Sequence, residues 1–402
     1  MRLSSLILAA GPALIHAAAV AKNSTASSTT TVAKNGTASS TSSGVVGTAY
    51  GFAKGTTGGG SAKPAAPKDI AELKLWLADS TPRVILIDKL FNFKGTEGSV
   101  KETGCRDFRP GTKCTAANGG QDFIRVKQCD AGWKSVPVTY DKAGVDALEI
   151  KSNKSIVGVG NKGVIQGKGL HIAQGSSNII IQNVHITDLN PQYVWGGDAL
   201  SIEGATNVWV DHCKFSKAGR MFIVSHFKGN TVTVSNNEFD GVTPGSATCN
   251  KNAYWGLMFI APGEKITLDK NYFHDMSGRS PKINGQGSLL HATNNFFSNN
   301  LGHNFEISTE TFALLEGNSW VKTTEPIQAG SGPTFADGGA ACTSSLGRAC
   351  VGNEATGSGA LPKLGSTVAL AAFAKVKANL VAPTAVANTQ ASVMKSAGVG
   401  KI

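Results

Sequence analysis

Six segments of this 402-residue chain repeat one pattern at a nearly constant interval, and that repeat limits the folds open to it. In each, a short apolar run leads to one bulky anchor. They are Ile179-Ile180-Ile181 with Ile186, Val208-Trp209-Val210 with Phe215, Val232-Thr233-Val234 with Phe239, Ile266-Thr267-Leu268 with Phe273, Leu289 through Ala292 with Phe297, and Leu314-Leu315 with Trp320. Successive anchors stand 29, 24, 34, 24 and 23 residues apart. Strand-like alternation inside a unit, turn residues between units and a period of about 23 residues indicate stacked coils, each burying its apolar face only against the next. The two long intervals are then insertions, carrying Trp195-Gly196-Gly197-Asp198 and Cys249 with Tyr254-Trp255. Extra residues in a solenoid become loops on one face, usually the binding face.

Two places before the anchor, four consecutive coils carry Asn237, Asn271, Asn295 and Asn318, and the first two coils carry Val184 and Cys213. Asparagine at a turn also tolerates left-handed backbone. An apolar Val and a Cys in the same slot favour an interior ladder of stacked amides. With 48 glycines and a richness in Thr, Val, Asn and Ser, the chain reads as all-β. A solenoid also accommodates its length without a second core.

Residues 1–20 read as a cleavable secretory signal: Met1-Arg2, an apolar run from Leu3 to Ala19, and small residues at Ala17-Ala18-Ala19 or Ala19-Val20-Ala21. Residues 21–45 form a Ser/Thr-rich linker in which Ala21-Lys22-Asn23 recurs as Ala33-Lys34-Asn35, a composition expected to stay disordered. The coils are expected over 46–383 and a tail over 384–402. Asn23, Asn35 and Asn153 open N-glycosylation sequons. A secreted chain with seven cysteines should pair six. Cys105, Cys114 and Cys129 precede the coils, Cys249 lies in an insertion, and Cys342 and Cys350 bound a short loop. Cys213, in the inward slot, is the odd one out.

Lys+Arg 38 against Asp+Glu 27 favours an anionic partner. Secretion argues against nucleic acid, and the absence of a Lys/Arg run or a basic amphipathic helix argues against a membrane surface. Gly158-Val159-Gly160-Asn161-Lys162-Gly163 matches the dinucleotide glycine pattern, but no helix can begin after it, so it reads as a turn between two coils. The eight histidines lack metal-ligand spacing, and Asp211-His212 at a strand end reads as a turn clasp.

The coil phase also groups the chemistry. Arg220 lies five residues after Phe215 and Arg279 six after Phe273, so both leave their coils at one corner, with one coil between them. At a strand spacing of about 4.8 Å their backbones stand roughly 10 Å apart. Asp198 reaches the same face, and Trp195, Tyr254 and Trp255 supply flat walls. Cations, one carboxylate and aromatic platforms suit a sugar polymer bearing acid or ester groups.

Trp195-Gly196-Gly197-Asp198-Ala199, Val208-Trp209-Val210-Asp211-His212, Ser246-Ala247-Thr248-Cys249 with Tyr254-Trp255, and Gly278-Arg279-Ser280-Pro281-Lys282 resemble fungal pectin lyases, members of the pectate lyase superfamily. The likeness runs from Val45-Val46-Gly47 to the Cys342 to Cys350 loop. It implies a single-stranded right-handed parallel β-helix and a secreted, glycosylated carbon–oxygen lyase that cleaves α-1,4-linked, methyl-esterified galacturonan (pectin) by β-elimination. Bridges Cys105 to Cys129, Cys114 to Cys249 and Cys342 to Cys350 carry over from it, and a monomer without cofactor or metal is expected. Calcium-dependent relatives hold their ion with four acids, and at the corresponding positions here, Gly196-Gly197-Asp198 and Arg220 through Val224, one acid survives.

By the same resemblance Arg279 is the base that removes the C5 proton, with Asp198 and Arg220 beside it and Lys282 as a further cation. Arginine titrates near 12.5 to 13.8, so a neutral guanidine at about pH 8 lies about 7 kcal/mol uphill. Crowding by Arg220 and Lys282 and desolvation by Trp195 and Trp255 are expected to lower that barrier, and Lys282 is the alternative base. Where pectin lyases have extra tryptophans near the first cysteines, this chain has Arg106, Phe108, Arg109 and Lys127-Gln128, which fits tolerance of partly de-esterified pectin. The alternatives are a calcium-dependent pectate lyase and a non-catalytic β-helix that binds polysaccharide.

Overall fold

A computed structural model describes residues 44–107, 114–328 and 332–402. The leader, almost all of the linker, Asn23, Asn35, Phe108 and Arg109 lie outside these described residues. Each repeat becomes two strands joined by a tight corner. The apolar runs form Ser177–Gln182, Thr206–Asp211, Thr231–Ser235, Lys265–Asp269, Leu289–Thr293 and Phe312–Glu316, stacked in parallel in one sheet. The anchors lie on His185–Thr187, Lys214–Ser216, Glu238–Asp240, Tyr272–His274, Phe296–Ser298 and Ser319–Val321, stacked in a second.

Register makes the anchors a continuous core. Ile186, Phe215, Phe239, Phe273, Phe297 and Trp320 pair in sequence across neighbouring strands and are fully buried. From Phe215 to Trp320 the rings stack with centroids 4.6 to 5.2 Å apart. Aromatic pairs of this kind contribute about 0.5 to 1.5 kcal/mol each beyond their burial.

The corner between the two sheets is one left-handed residue followed by the ladder residue. Asn183, His212, Asn236, Lys270 and Asn294 have φ between 49° and 59°. Asn is suited to that region, and His212 is clasped there by Asp211 Oδ2 at 2.6 Å from its Nδ1. Behind each turn the ladder runs as expected. The amide nitrogens Nδ2 of Asn237, Asn271 and Asn295 donate to Oδ1 of Asn271, Asn295 and Asn318, at 2.9 to 3.0 Å. Cys213 is fully buried in the same slot, and its backbone N–H donates to Asn237 Oδ1. Burial pushes its thiol up to about 12, so it is an inert core group.

Two earlier coils escaped the repeat. Arg83–Ile87 and Lys154–Gly158 extend the first sheet, and Leu90–Asn92 and Val164–Gln166 the second. A long excursion separates the first coil from the next, so no period near 23 links them. The glycine run from Gly158 to Gly163 joins strands Lys154–Gly158 and Val164–Gln166 and is therefore a corner within one coil, not a turn between two.

A third parallel sheet closes the coils. It includes Leu200–Glu203, Ile223–His226, Leu257–Phe259, Lys282–Ile283 and His303–Ile307. Beside it stands a small sheet in which Ser99–Asp107 pairs antiparallel with Trp133–Asp141 and Asp122–Phe123 links Ser99–Asp107 to Tyr193–Val194. Disulfides Cys105–Cys129 and Cys114–Cys249 tie this sheet and the second insertion together, and Cys342–Cys350 closes the loop near the C-terminus. The segment expected as a tail packs on the coils: Thr384 N donates to Asn294 Oδ1, Gly398 N to Asn236 O and Gly400 N to Asn183 Oδ1. Among the described residues, no helix is long and apolar enough to cross a membrane.

Candidate active site

The corner entering the third sheet gathers the expected residues on successive rungs. Arg220 N donates to Gly197 O, Phe222 N to Gly256 O and Leu257 N to Arg279 O, so Asp198, Arg220, Trp255 and Arg279 step along one edge. Trp255 occupies the rung between the two arginines. Sequence spacing placed one coil there, and the pairing of Ile223 with Leu257 and of Met258 with Lys282 agrees.

Asp198 and Arg220 form a closed pair. The Arg220 side chain is 10% exposed, and it donates from Nε to Oδ1 at 2.8 Å and from Nη2 to Oδ2 at 2.5 Å. Met221 N donates to the same Oδ1 at 2.9 Å. Trp195, 44% exposed, lies over the guanidinium with its centroid 4.1 Å from Cζ. Local backbone makes this approach possible. Trp195 has φ 71° and Gly197 φ 142°, and a Cβ on Gly197 would stand 2.1 Å from Gly144 O.

Arg279 is held differently. Its Cζ is 5.4 Å from the Tyr254 ring and 5.3 Å from the Trp255 ring, which meet edge to face. Gly278 is required here, because a Cβ would lie 2.5 Å from the Tyr254 ring carbons. Trp255 is fixed by Nε1 donating to Gln121 Oε1 at 2.9 Å, and Gln121 Nε2 donates to Pro191 O and Gly219 O. Arg279 itself has φ 32°, a left-handed value that costs energy for a residue with a side chain and tends to occur where function demands it.

Three expectations are revised. Neither neighbouring cation crowds Arg279 unopposed, because Arg220 is matched by Asp198 and Lys282 by Glu306, whose Oε1 accepts from its Nζ. Trp195 covers Arg220, so the rings beside Arg279 are Tyr254 and Trp255. Arg106 is engaged as well, donating twice to Asp122 at 2.6 Å, and is not a spare cation for acidic substrate. Around Asn153, Lys154 and Ser155 are fully buried and Asn153 Oδ1 accepts from Asn178 Nδ2 at 2.8 Å.

Glu306 and His303 were missed from sequence. Glu306 pairs in register with Lys282, lies 3.4 Å from Arg279 Nε through Oε2, and faces His303 Nε2 at 3.4 Å. The hydrogen bond from His303, then Lys282 and Arg279, hold its carboxyl down to about 2 against burial. Coil period could have found both residues: His303 and Glu306 follow Arg279 and Lys282 by 24 positions, one coil.

A cleft of about 670 Å³ lined by Lys94, Tyr140, Asp141, Asp188 and Gln192 contains none of the expected site residues. Among the described residues, the one trio able to hold a metal is Glu238, Asp240 and His274, on the second sheet. Lys214 Nζ already contacts Glu238 at 2.8 Å and Asp240 at 3.1 Å.

Relatives of this chain are found by sequence and by fold. Residues 130–402 match a family model described as pectate lyase. The chain is 47% identical over 367 residues to a "Probable pectin lyase F" of Aspergillus niger, covering 89% of this chain and 76% of that protein. It is 46% identical over 375 residues to a "Probable pectin lyase E" of Aspergillus fumigatus, covering 89% and 96%. Among solved structures, a pectate lyase bound to a hexasaccharide superposes with a TM-score of 0.55 at 16% identity, covering 88% of this chain and 97% of that one. A pectate lyase from Paenibacillus sp. 0602 gives 0.58 at 16% identity, covering 88% and 96%. Identity that low carries the parallel β-helix fold alone.

Proposed function

The chain belongs to the pectate lyase family, and from that premise we propose that it is a secreted pectin lyase, cleaving methyl-esterified α-1,4-galacturonan by β-elimination without calcium, with Arg279 as base. The observation that carries this reading is the Asp198–Arg220 pair. Both oxygens of the one surviving acid accept from a guanidinium, so a hard divalent ion, which needs several free oxygens, finds none there. The related proteins named pectin lyases support the same substrate class.

In the reaction, Arg279 in its neutral form takes the C5 proton, the C–H electron pair forms the C4–C5 double bond, and the C4–O bond breaks. The departing oxygen is protonated by water or by the arginine that has just gained a proton. A methyl ester at C6 makes C5–H more acidic than a carboxylate does, which lessens the electrostatic help required. The Asp198–Arg220 pair fixes the edge of the groove, and Trp195 offers an exposed ring against which a neutral sugar can stack. Lys282 is a weaker candidate base than Arg279, because its Nζ is already engaged by Glu306 Oε1.

The apolar leader and three disulfides support secretion. Product analysis separates the lyase from a binder. Chains ending in an unsaturated uronide, detected by ultraviolet absorbance, are expected from highly esterified pectin. Binding without such ends would contradict the proposal.

A further inference from the structure

Resting on Arg279 as the base, we propose that Glu306 is a positioning residue for the elimination and that Lys282 serves as its charge partner, in place of the substrate-binding or proton-accepting role expected from sequence. Arg279 Nε is buried and has no hydrogen-bond partner among the described residues, and the charge that faces it is Glu306 Oε2 at 3.4 Å. Nε is the guanidinium nitrogen nearest the main chain. An acceptor behind it fixes the plane of the group and leaves the outer nitrogens for substrate. Among the described residues, Nη1 has only Met258 Sδ, a weak acceptor at 3.9 Å. The gap at Nε is that of a contact that tightens when substrate arrives, as catalytic hydrogen bonds often do.

A lone carboxylate here would oppose the chemistry, because it favours the protonated guanidinium. Lys282 removes that difficulty. It is the cross-strand partner of Glu306 and donates to Oε1, so one carboxylate bridges two cations on adjacent rungs. Arg279, Lys282 and Glu306 together carry one positive charge when Arg279 is protonated and none when it is neutral. Losing the proton therefore strands no buried charge. The other titratable groups at Arg279 are His303, whose Nε2 lies 3.4 Å from the Arg279 backbone N–H, and the Tyr254 phenol. The Asp198–Arg220 pair is two rungs away and internally neutral.

The test is steady-state kinetics on highly esterified pectin across pH with Glu306→Gln, Glu306→Asp and Lys282→Met. Glu306→Gln is expected to lower kcat about 10- to 100-fold, the scale of a misplaced catalytic group, with KM changed less than about twofold. Removing the negative charge moves the ascending limb of the pH–rate profile about one unit lower, and removing the positive charge in Lys282→Met moves it about one unit higher. Glu306→Asp, which keeps the charge, keeps the limb in place and recovers part of kcat. If Glu306→Gln fails to fold, Glu306→Asp and Lys282→Met decide by the same limb positions. An unchanged kcat and profile in the Glu306 variants, or limbs that move in the same direction, would overturn the inference. Active Arg279→Ala would reject the base itself, whereas inactive Arg279→Ala beside wild-type-like Glu306→Gln would reject only the positioning role.

Discussion

Arg220 meets Asp198 through two parallel hydrogen bonds, Nε to Oδ1 and Nη2 to Oδ2, under the ring of Trp195. Such a fork is rigid as well as charged, and lysine cannot reproduce it. Asp198→Asn leaves a largely buried guanidinium with half its partner. A loss of about 2 kcal/mol in unfolding free energy is expected, with a drop in kcat/KM. Chemical denaturation alongside kinetics checks both, and an Asp198→Asn variant as stable as the parent would mean the pair is not the support described.

Arg279→Lys keeps a cation but removes the planar group that fits between Tyr254, Trp255 and Glu306. Elimination on esterified pectin is expected to fall at least about a hundredfold, the scale of a lost general base. Near-parental turnover by this variant would remove Arg279 from the base role.

The interior slot gives a paired prediction. Cys213→Ala deletes one sulfur whose contacts are weak, 3.4 Å to Ile181 O and to Asp211 O, and should cost about 1 to 2 kcal/mol with activity retained. Asn271→Ala strands Asn237 N and removes the side-chain bonds to Val234 O and Asn295 Oδ1, and should cost more, about 3 kcal/mol or above. Equal costs would mean the ladder is not a hydrogen-bonded spine. The Cys213 thiol should label only in denaturant.

Glu264 supplies a pH dependence of stability. It is fully buried, and burial raises its carboxyl to about 7, even though Asn230 and Ala261 donate to it. A carboxyl raised in the folded state contributes most when protonated in both states, below about 4.5, and that contribution is lost as pH rises through about 7. The span corresponds to about 3 kcal/mol. His185, pushed down to about 4 by burial, acts oppositely over much of the same range, so the absolute melting curve hides the effect. The difference isolates it: Glu264→Gln should gain Tm relative to the parent between about pH 5 and about pH 8. A constant difference across pH would contradict the assignment.

The coil, its phase and its ladder were legible because one residue type recurs per coil and every coil must bury it against the next, as Phe215, Phe239 and Phe273 do. Arg220 and Arg279 were legible for the same reason, since offsets of five and six from their anchors put both at one corner, and Asp198 was legible from the insertion that carries it. Charge balance was not. Lys282 and Arg106 read as free cations because their partners lie one coil or one hairpin away: Glu306 shows only through the 24-residue period that follows Lys282, and Asp122 carries no local signal. The small sheet was invisible because Ser99–Asp107 and Trp133–Asp141 alternate weakly and pair across a gap that the repeat does not cover. Packing of 384–402 on the left-handed corners likewise has no periodic trace.

The central claim is that esterification, not a metal, masks the substrate's charge, and one experiment reaches it directly. Formation of unsaturated product is followed on highly methylated pectin and on polygalacturonate, each in excess chelator and again in excess calcium. The account predicts full activity on methylated pectin with chelator present, no gain from calcium, and weak activity on polygalacturonate. Activity that vanishes with chelator and returns with calcium, strongest on polygalacturonate, would contradict it and make Asp198 a metal ligand freed from Arg220.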